Sequence, residues 1–108
     1  MAQVIWQKRA EKELYTYLVK GFLQFGEKTA NKFARKVALL NSDLSKFPEL
    51  GFPEPLLNDR KKLYRACHIL ERFKLIYYYA KSTDTVHVVD IWDTRRAPTT
   101  LANRIDKK

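Results

Sequence analysis

The sequence predicts a small mixed α/β (α+β) fold in the order β-α-α-β-β-β. A three-stranded antiparallel meander is joined by an N-terminal strand and covered on one face by a two-helix hairpin. Three observations predict this. Residues 63–80 form two runs of β-branched, aromatic and aliphatic side chains split by one charged break, Glu71 and Arg72, which reads as a tight hairpin. Residues 85–92 repeat that composition after the turn-like cluster Lys81-Ser-Thr-Asp84. Before residue 48 the apolar spacing is helical, and that part of the chain is the cover.

In chain order, Gln3-Val-Ile-Trp6 is a short β-prone segment suited to an edge or parallel position beside the meander. From Lys8 the period changes. Leu14, Tyr17, Leu18, Phe22 and Phe25 recur at helical spacing, while Lys8, Arg9, Lys12 and Lys20 fall largely on other faces. Gly26 is placed to end this helix. A second helix starts near Glu27 and runs into the low forties, with the stripe Ala30, Phe33, Ala34, Val37 and Leu40. The two form an antiparallel hairpin over about 8–44. Leu14, Leu18, Phe22, Phe33 and Val37 are expected to face Ile69, Leu75, Ile76, Val89 or Ile91.

Pro48, Pro53 and Pro55 remove donors and fix φ, so residues 47–55 read as a loop that carries the chain to the meander. The meander spans about 61–93. Asp93-Thr-Arg-Arg-Ala-Pro98 then breaks the sheet, residues 99–105 suit a short helix, and Asp106, Lys107 and Lys108 are expected to fray.

The chain of 108 residues fits one domain, 1–108, with a core but no room for a second. At 45% apolar and 31% charged residues, its balance is globular rather than disordered. The 21 Lys and Arg against 12 Asp and Glu leave a net charge of +9, which points to an anionic partner, nucleic acid first. A single cysteine, Cys67, excludes an internal disulfide framework and suits a reducing cytoplasm. No long apolar run or signal-peptide pattern occurs, so a cytoplasmic protein without membrane contact is expected.

Strand, helical hairpin, Phe47-Pro48-x-x-Gly51, Arg65 in the next strand, Lys74-Leu-Ile-Tyr77 and the run VVDIWDTRR over residues 88–96 together resemble the RelE/ParE superfamily of type II toxin–antitoxin toxins. The resemblance covers nearly the whole chain. It implies a two-helix layer against a mostly antiparallel sheet and a cognate antitoxin that wraps the toxin in a hetero-oligomer, acidic where it meets this basic chain. Two modes of action are compatible with it. One branch cleaves mRNA on the ribosome as a metal-independent endoribonuclease; the other inhibits DNA gyrase by binding alone. An inactive relic retained with its antitoxin is the third outcome.

The candidate site follows from the cleavage chemistry. A metal-free ribonuclease must stabilise charge on the scissile phosphate, and arginine matches phosphate oxygens with a permanent charge. Arg65 matches the superfamily's strand arginine, and Arg95 and Arg96 sit where a second phosphate-binding arginine is often found, so these three are the candidate catalytic residues. Lys61, Lys62 and Lys74 are the candidate RNA-binding residues. The alternative for Arg65 is a structural ion pair with Asp90 or Glu71, and for Arg95 and Arg96 a solvated turn. A C-terminal Tyr or His, common in the nuclease branch, is missing from residues 94–108. His68 and His87 lie in strands where packed histidines are usual, and Tyr64, Tyr77, Tyr78 and Tyr79 read as base-stacking or core residues. Cys67 reads as a buried small hydrophobe. No cofactor or metal is expected, because Asp90, Asp93 and the histidines lack ligand spacing and no Gly-rich phosphate loop occurs.

Overall fold

The structure is a computed structural model that describes residues 1–105. The fray expected at residues 106–108 lies outside them. The meander forms as expected from β3 (Tyr64–Ile69), β4 (Phe73–Ala80) and β5 (Thr85–Asp93), all antiparallel neighbours. The N-terminal strand β1 (Gln3–Trp6) pairs with β5 in parallel, Gln3 beside Thr85 and Ile5 beside His87. A fifth strand was not expected. The proline-rich stretch contributes the two-residue β2 (Phe52–Pro53), set antiparallel on β3 at the sheet edge, where a proline sacrifices no central ladder bond. The sheet order is β1-β5-β4-β3-β2.

Helix α1 (Lys8–Phe25) ends at Gly26, whose φ of 88° is a conformation that side chains with a Cβ resist. Helix α2 (Glu27–Lys46) runs past the expected low forties. Its last turn is held because Leu44 is fully buried and Ser45 is tied to Ala2 in both directions, backbone to backbone and hydroxyl to carbonyl. Trp6 Nε1 also donates to Asn41 Oδ1 at 2.8 Å, fixing β1 under this helix. Among the described residues no helix is long and apolar enough to cross a membrane.

The hairpin packs on one face of the sheet, with Phe33, Val37, Leu40 and Leu44 against Cys67, Ile69, Leu75, Tyr77, Val88 and Ile91. Leu14 and Leu18 join this cluster, but Phe22 does not. It is 54% exposed, and Phe25 is 64% exposed. The last turn of α1 leaves Phe22, Leu23 and Phe25 at the surface, past the part of the helix that packs on the core. Ile76 and Val89 also depart from expectation, because both face away from the hairpin. Ile76 follows from the two-residue strand period, since Leu75 and Tyr77 point at the helices. Val89 sits in a bulge opposite Ile76 and Tyr77, which turns it and Asp90 to the same side.

That second face has its own core. Leu57, Tyr64, Ala66, Ile76, Val89 and Trp92 are covered by Leu101 and Ile105. The cover is α3 (Pro98–Arg104), the short helix expected in the tail, together with a 3-10 turn at Pro55–Leu57. The hairpin is therefore not the sole cover of the sheet.

Candidate functional site

Arg65 lies on the hairpin face of β3, level with Tyr77 and Val88. Its guanidinium is turned to the folded-back loop. Nη1 donates to the Gly51 carbonyl at 2.8 Å and to the Glu49 carbonyl at 3.4 Å, and Nη2 lies 3.5 Å from the Glu49 carboxylate. Neither Asp90 nor Glu71, the partners considered from the sequence, is involved. The ion pair with a half-exposed Glu49 is a weak tie; the carbonyl bonds are what this charge is arranged for.

Arg95 and Arg96 lie at the opposite end of the strands. The pairing of Arg65 with Tyr77 and of Asp93 with Phe73 separates the two levels by four residues of β4, roughly 13 Å along the strands. Arg95 grips Asp93, Nη2 to Oδ2 at 2.7 Å and Nε to Oδ1 at 3.0 Å, and this bond holds the Asp93 carboxyl below its ordinary range. Arg96 places its guanidinium 5.0 Å from the centre of the Trp92 ring. The three arginines do not converge on one point.

The lysines separate likewise. Lys74 Nζ bonds Glu54 Oε1 at 2.7 Å, and that carboxylate is fully buried, so this lysine neutralises an interior charge. Lys61 borders a small hollow of about 210 Å³ beside Pro53 and Leu63. Lys62 reaches a larger cleft.

That cleft, about 410 Å³, lies on the face away from the hairpin. Tyr64, Tyr78 and Val89 line it from the sheet, Lys8 and Arg9 from the start of α1, Lys62 from the lead into β3, and Arg104 from the end of α3. Four cationic side chains thus meet in a cleft whose lining contains no carboxylate. Strand pairing sets Tyr64 beside Tyr78, and Tyr78 beside His87, in one row across the sheet. The Tyr78 and His87 rings are stacked, 4.8 Å apart and 17° from parallel, and Lys62 Nζ stands 5.0 Å from the Tyr78 ring centre.

Arg104 is held from behind. Its Nη2 bonds Asp90 at 2.9 Å and Glu13 at 3.1 Å, and its own carbonyl accepts a bond from Arg9. Asp90 is fully buried and its Oδ2 has no partner, and burial pushes its carboxyl up to about 6. Cys67 is buried too, which raises its thiol and suits the packing role expected of it. His68 is exposed and faces Phe52. Among the described residues, no three His, Cys, Asp or Glu side chains gather to hold a metal ion.

Of the residues that line this cleft, the sequence singled out Lys62, Tyr64 and Tyr78, but not Lys8, Arg9 or Arg104. The first two looked like a solvated helix face, and the third belonged to a tail with no assigned position. Only the net charge hinted at them.

The model of the ParE toxin of type II toxin–antitoxin systems, parDE, matches residues 4–98. No curated protein matches the chain. Among solved structures, the chromosomal ParDE system of P. aeruginosa is similar with a TM-score of 0.67 at 14% identity, over 86% of this chain and 96% of that one. A metal-bound toxin from Helicobacter pylori gives 0.67 at 18%, over 88% and 97%. The YoeB/ParE toxin from Agrobacterium tumefaciens gives 0.59 at 18%, over 84% and 96%. These likenesses concern the fold, whereas the family match spans most of the sequence, and by it the chain belongs to the ParE toxins of type II toxin–antitoxin systems.

Proposed function

We propose that this toxin arrests growth by binding rather than by chemistry, with DNA gyrase as its target and a cognate antitoxin, acidic at the contact, as its inhibitor. One observation carries the reading. The arginines expected to hold a scissile phosphate, Arg65, Arg95 and Arg96, stand at two ends of the sheet, and each is engaged by a carbonyl, a carboxylate or an indole ring. A general acid and base positioned around them would have no common phosphate to serve. The second reading, a ribosome-dependent mRNA endoribonuclease, draws support from the cationic cleft, where Lys62, Tyr64 and Tyr78 would meet RNA.

Two assays on the same induced culture and purified protein separate these. Inhibition of gyrase supercoiling with no new mRNA 5′ ends by primer extension is the expected result. Codon-spaced breaks in translated mRNA, with supercoiling untouched, would overturn it.

A further inference from the structure

We propose that α3 is a proton-dependent cover on the second face of the sheet, seated firmly while Asp90 carries a proton and loosened once that carboxyl is ionised. This goes beyond the choice of cellular target and does not depend on it.

The ties that seat α3 come first. Leu101 and Ile105 plug the apolar face. Polar bonds add to them: Arg60 donates to the Ala102 carbonyl, Arg9 to the Arg104 carbonyl, and Arg104 itself to Asp90 and Glu13. Two buried side-chain atoms among the described residues lack a partner, Arg60 Nε and Asp90 Oδ2, and both belong to groups that make these ties. Interior polar atoms are nearly always satisfied, so the incomplete bonding is concentrated where α3 is fastened. At seven residues α3 has little stability of its own, and the segment that leads to it, residues 94–99, is exposed. It can lift and unwind while the five-stranded sheet stays whole.

The charges then give the sense of the switch. Asp90 and Glu13 both bond Arg104 Nη2, at 2.9 and 3.1 Å, so two carboxylates share one nitrogen and lie no more than about 6 Å apart. Around Asp90 stand Arg104 from α3, Glu13 and Arg9 from α1, the Ile91 amide of its own strand, and the apolar Ile76 opposite on β4. Ionised in the closed state, the buried carboxylate has one shared guanidinium and an Oδ2 with no protein partner. Protonated, it costs less there, because burial penalises the charged form and Arg104 keeps its bond to Glu13. Burial accordingly pushes the carboxyl up to about 6 in the closed state, over the opposing pull of Arg104. With α3 lifted, water reaches the carboxyl and it returns toward 3.8, so the closed state takes the proton more readily. This contribution to closure is fully present below about pH 4 and is lost as pH rises through about 6. Lifting also takes Arg104 from the cleft wall and bares Trp92, so the cover decides whether the cationic cleft is whole.

Amide hydrogen exchange on the purified full chain tests this, each rate divided by the intrinsic rate at the same pH. The amides of residues 102–105 are expected to exchange through a local opening, with less protection than those of β4. That opening constant should rise about tenfold between pH 5 and pH 8. In Asp90→Asn, which keeps both histidines, it should stay flat over the same range. A carboxyl-carbon NMR titration of the unaltered chain serves should that variant not fold, with Asp90 titrating near pH 6. Protection of residues 102–105 equal to that of β4 would show that α3 does not open separately. That result, a pH-independent opening in wild type, the same slope in Asp90→Asn, or an Asp90 midpoint near its ordinary 3.8 would each overturn the proposal. Supercoiling and mRNA ends play no part in this readout, so it fails separately from the assignment of the target.

Discussion

The backbone amide of Gly51 donates a 2.8 Å hydrogen bond to the phenol oxygen of Tyr77, joining the proline-rich loop to the centre of the sheet. No side chain fits at that contact. A Cβ on Gly51 would lie 2.8 Å from the Ala66 carbonyl oxygen and 2.8 Å from Tyr77 Cε1. The ring is fully buried, and its hydroxyl is pushed up to about 12 by that burial, so it stays neutral through the physiological range. Gly51→Ala should therefore destabilise the protein by ~1–3 kcal/mol through overpacking. Tyr77→Phe should cost ~1–3 kcal/mol by leaving a buried amide unpaired. Urea titrations of both variants check this, and wild-type stability in Gly51→Ala would show that the loop is not held there.

Arg65→Ala removes the clamp on the same loop. Its bond to the Gly51 carbonyl is charge-assisted, so a loss of ~1.5–3 kcal/mol is expected, with toxicity falling only as the folded fraction falls. Growth assays beside thermal melts separate this from a contact role. A variant that melts like wild type but no longer arrests growth would restore Arg65 as a residue that touches the target.

Asp90 gives a pH signature. Its carboxyl titrates at about 6 in the fold, against an ordinary 3.8, so the folded state holds a proton that the unfolded chain has released between those values. Stability tied to this group is fully present below about pH 4 and is lost as pH rises through about 6. The Asn variant lacks that loss. Relative to wild type, Asp90→Asn should gain up to ~3 kcal/mol between about pH 4 and pH 7. Denaturant midpoints for the two proteins that stay parallel across this window would contradict the assignment. Asp93, held low by Arg95, has the opposite sign: its contribution is present above its unfolded value and lost as pH falls through the depressed one.

The overhanging end of α1 is the expected antitoxin contact. Phe22, Leu23 and Phe25 are exposed there, and Tyr15 and Val19 extend the apolar surface along the same helix. Phe22→Ser should leave stability within ~0.5 kcal/mol, because the ring is more than half exposed and belongs to neither core cluster. Antitoxin affinity, measured by calorimetry, should fall about tenfold or more, since exposed aromatics of this kind are common binding anchors. Unchanged affinity would move the contact elsewhere. Added salt should slow association more than it speeds release, given the charge of +9.

Much of this architecture was legible, and the failures have physical reasons. Phe33, Val37 and Leu40 were placed correctly because helical spacing reports a face. The same spacing cannot report where the partner sheet ends, which is why Phe22 was assigned to the core. Leu75 and Ile91 face the hairpin as expected, but Ile76 was set on the same face as its strand neighbour Leu75, against the two-residue period, and Val89 was lost to a bulge that shifts the phase without any local mark. Arg65 was singled out as a strand arginine, yet its partners come from a loop whose return path depends on tertiary contacts. The cleft is the hardest case. Arg104 meets Glu13 across most of the chain, and no local pattern records such a meeting.

The parallel pairing of β1 with β5 has a consequence for timing. β1 leaves the ribosome well before β5, in which it finds its hydrogen-bonding neighbour, Gln3 against Thr85 and Trp6 against Val88. Until β5 emerges, β1 lacks that ladder, and the hairpin has no Val86, Val88 or Ile91 to pack on. A nascent chain cannot complete its sheet before β5 has been made, so the toxin fold cannot form until then. A stop codon before Thr85 should yield a chain without cooperative melting and without toxicity, which circular dichroism and induction on plates would show. Such a delay gives a co-expressed antitoxin a window in which to capture each new copy at birth.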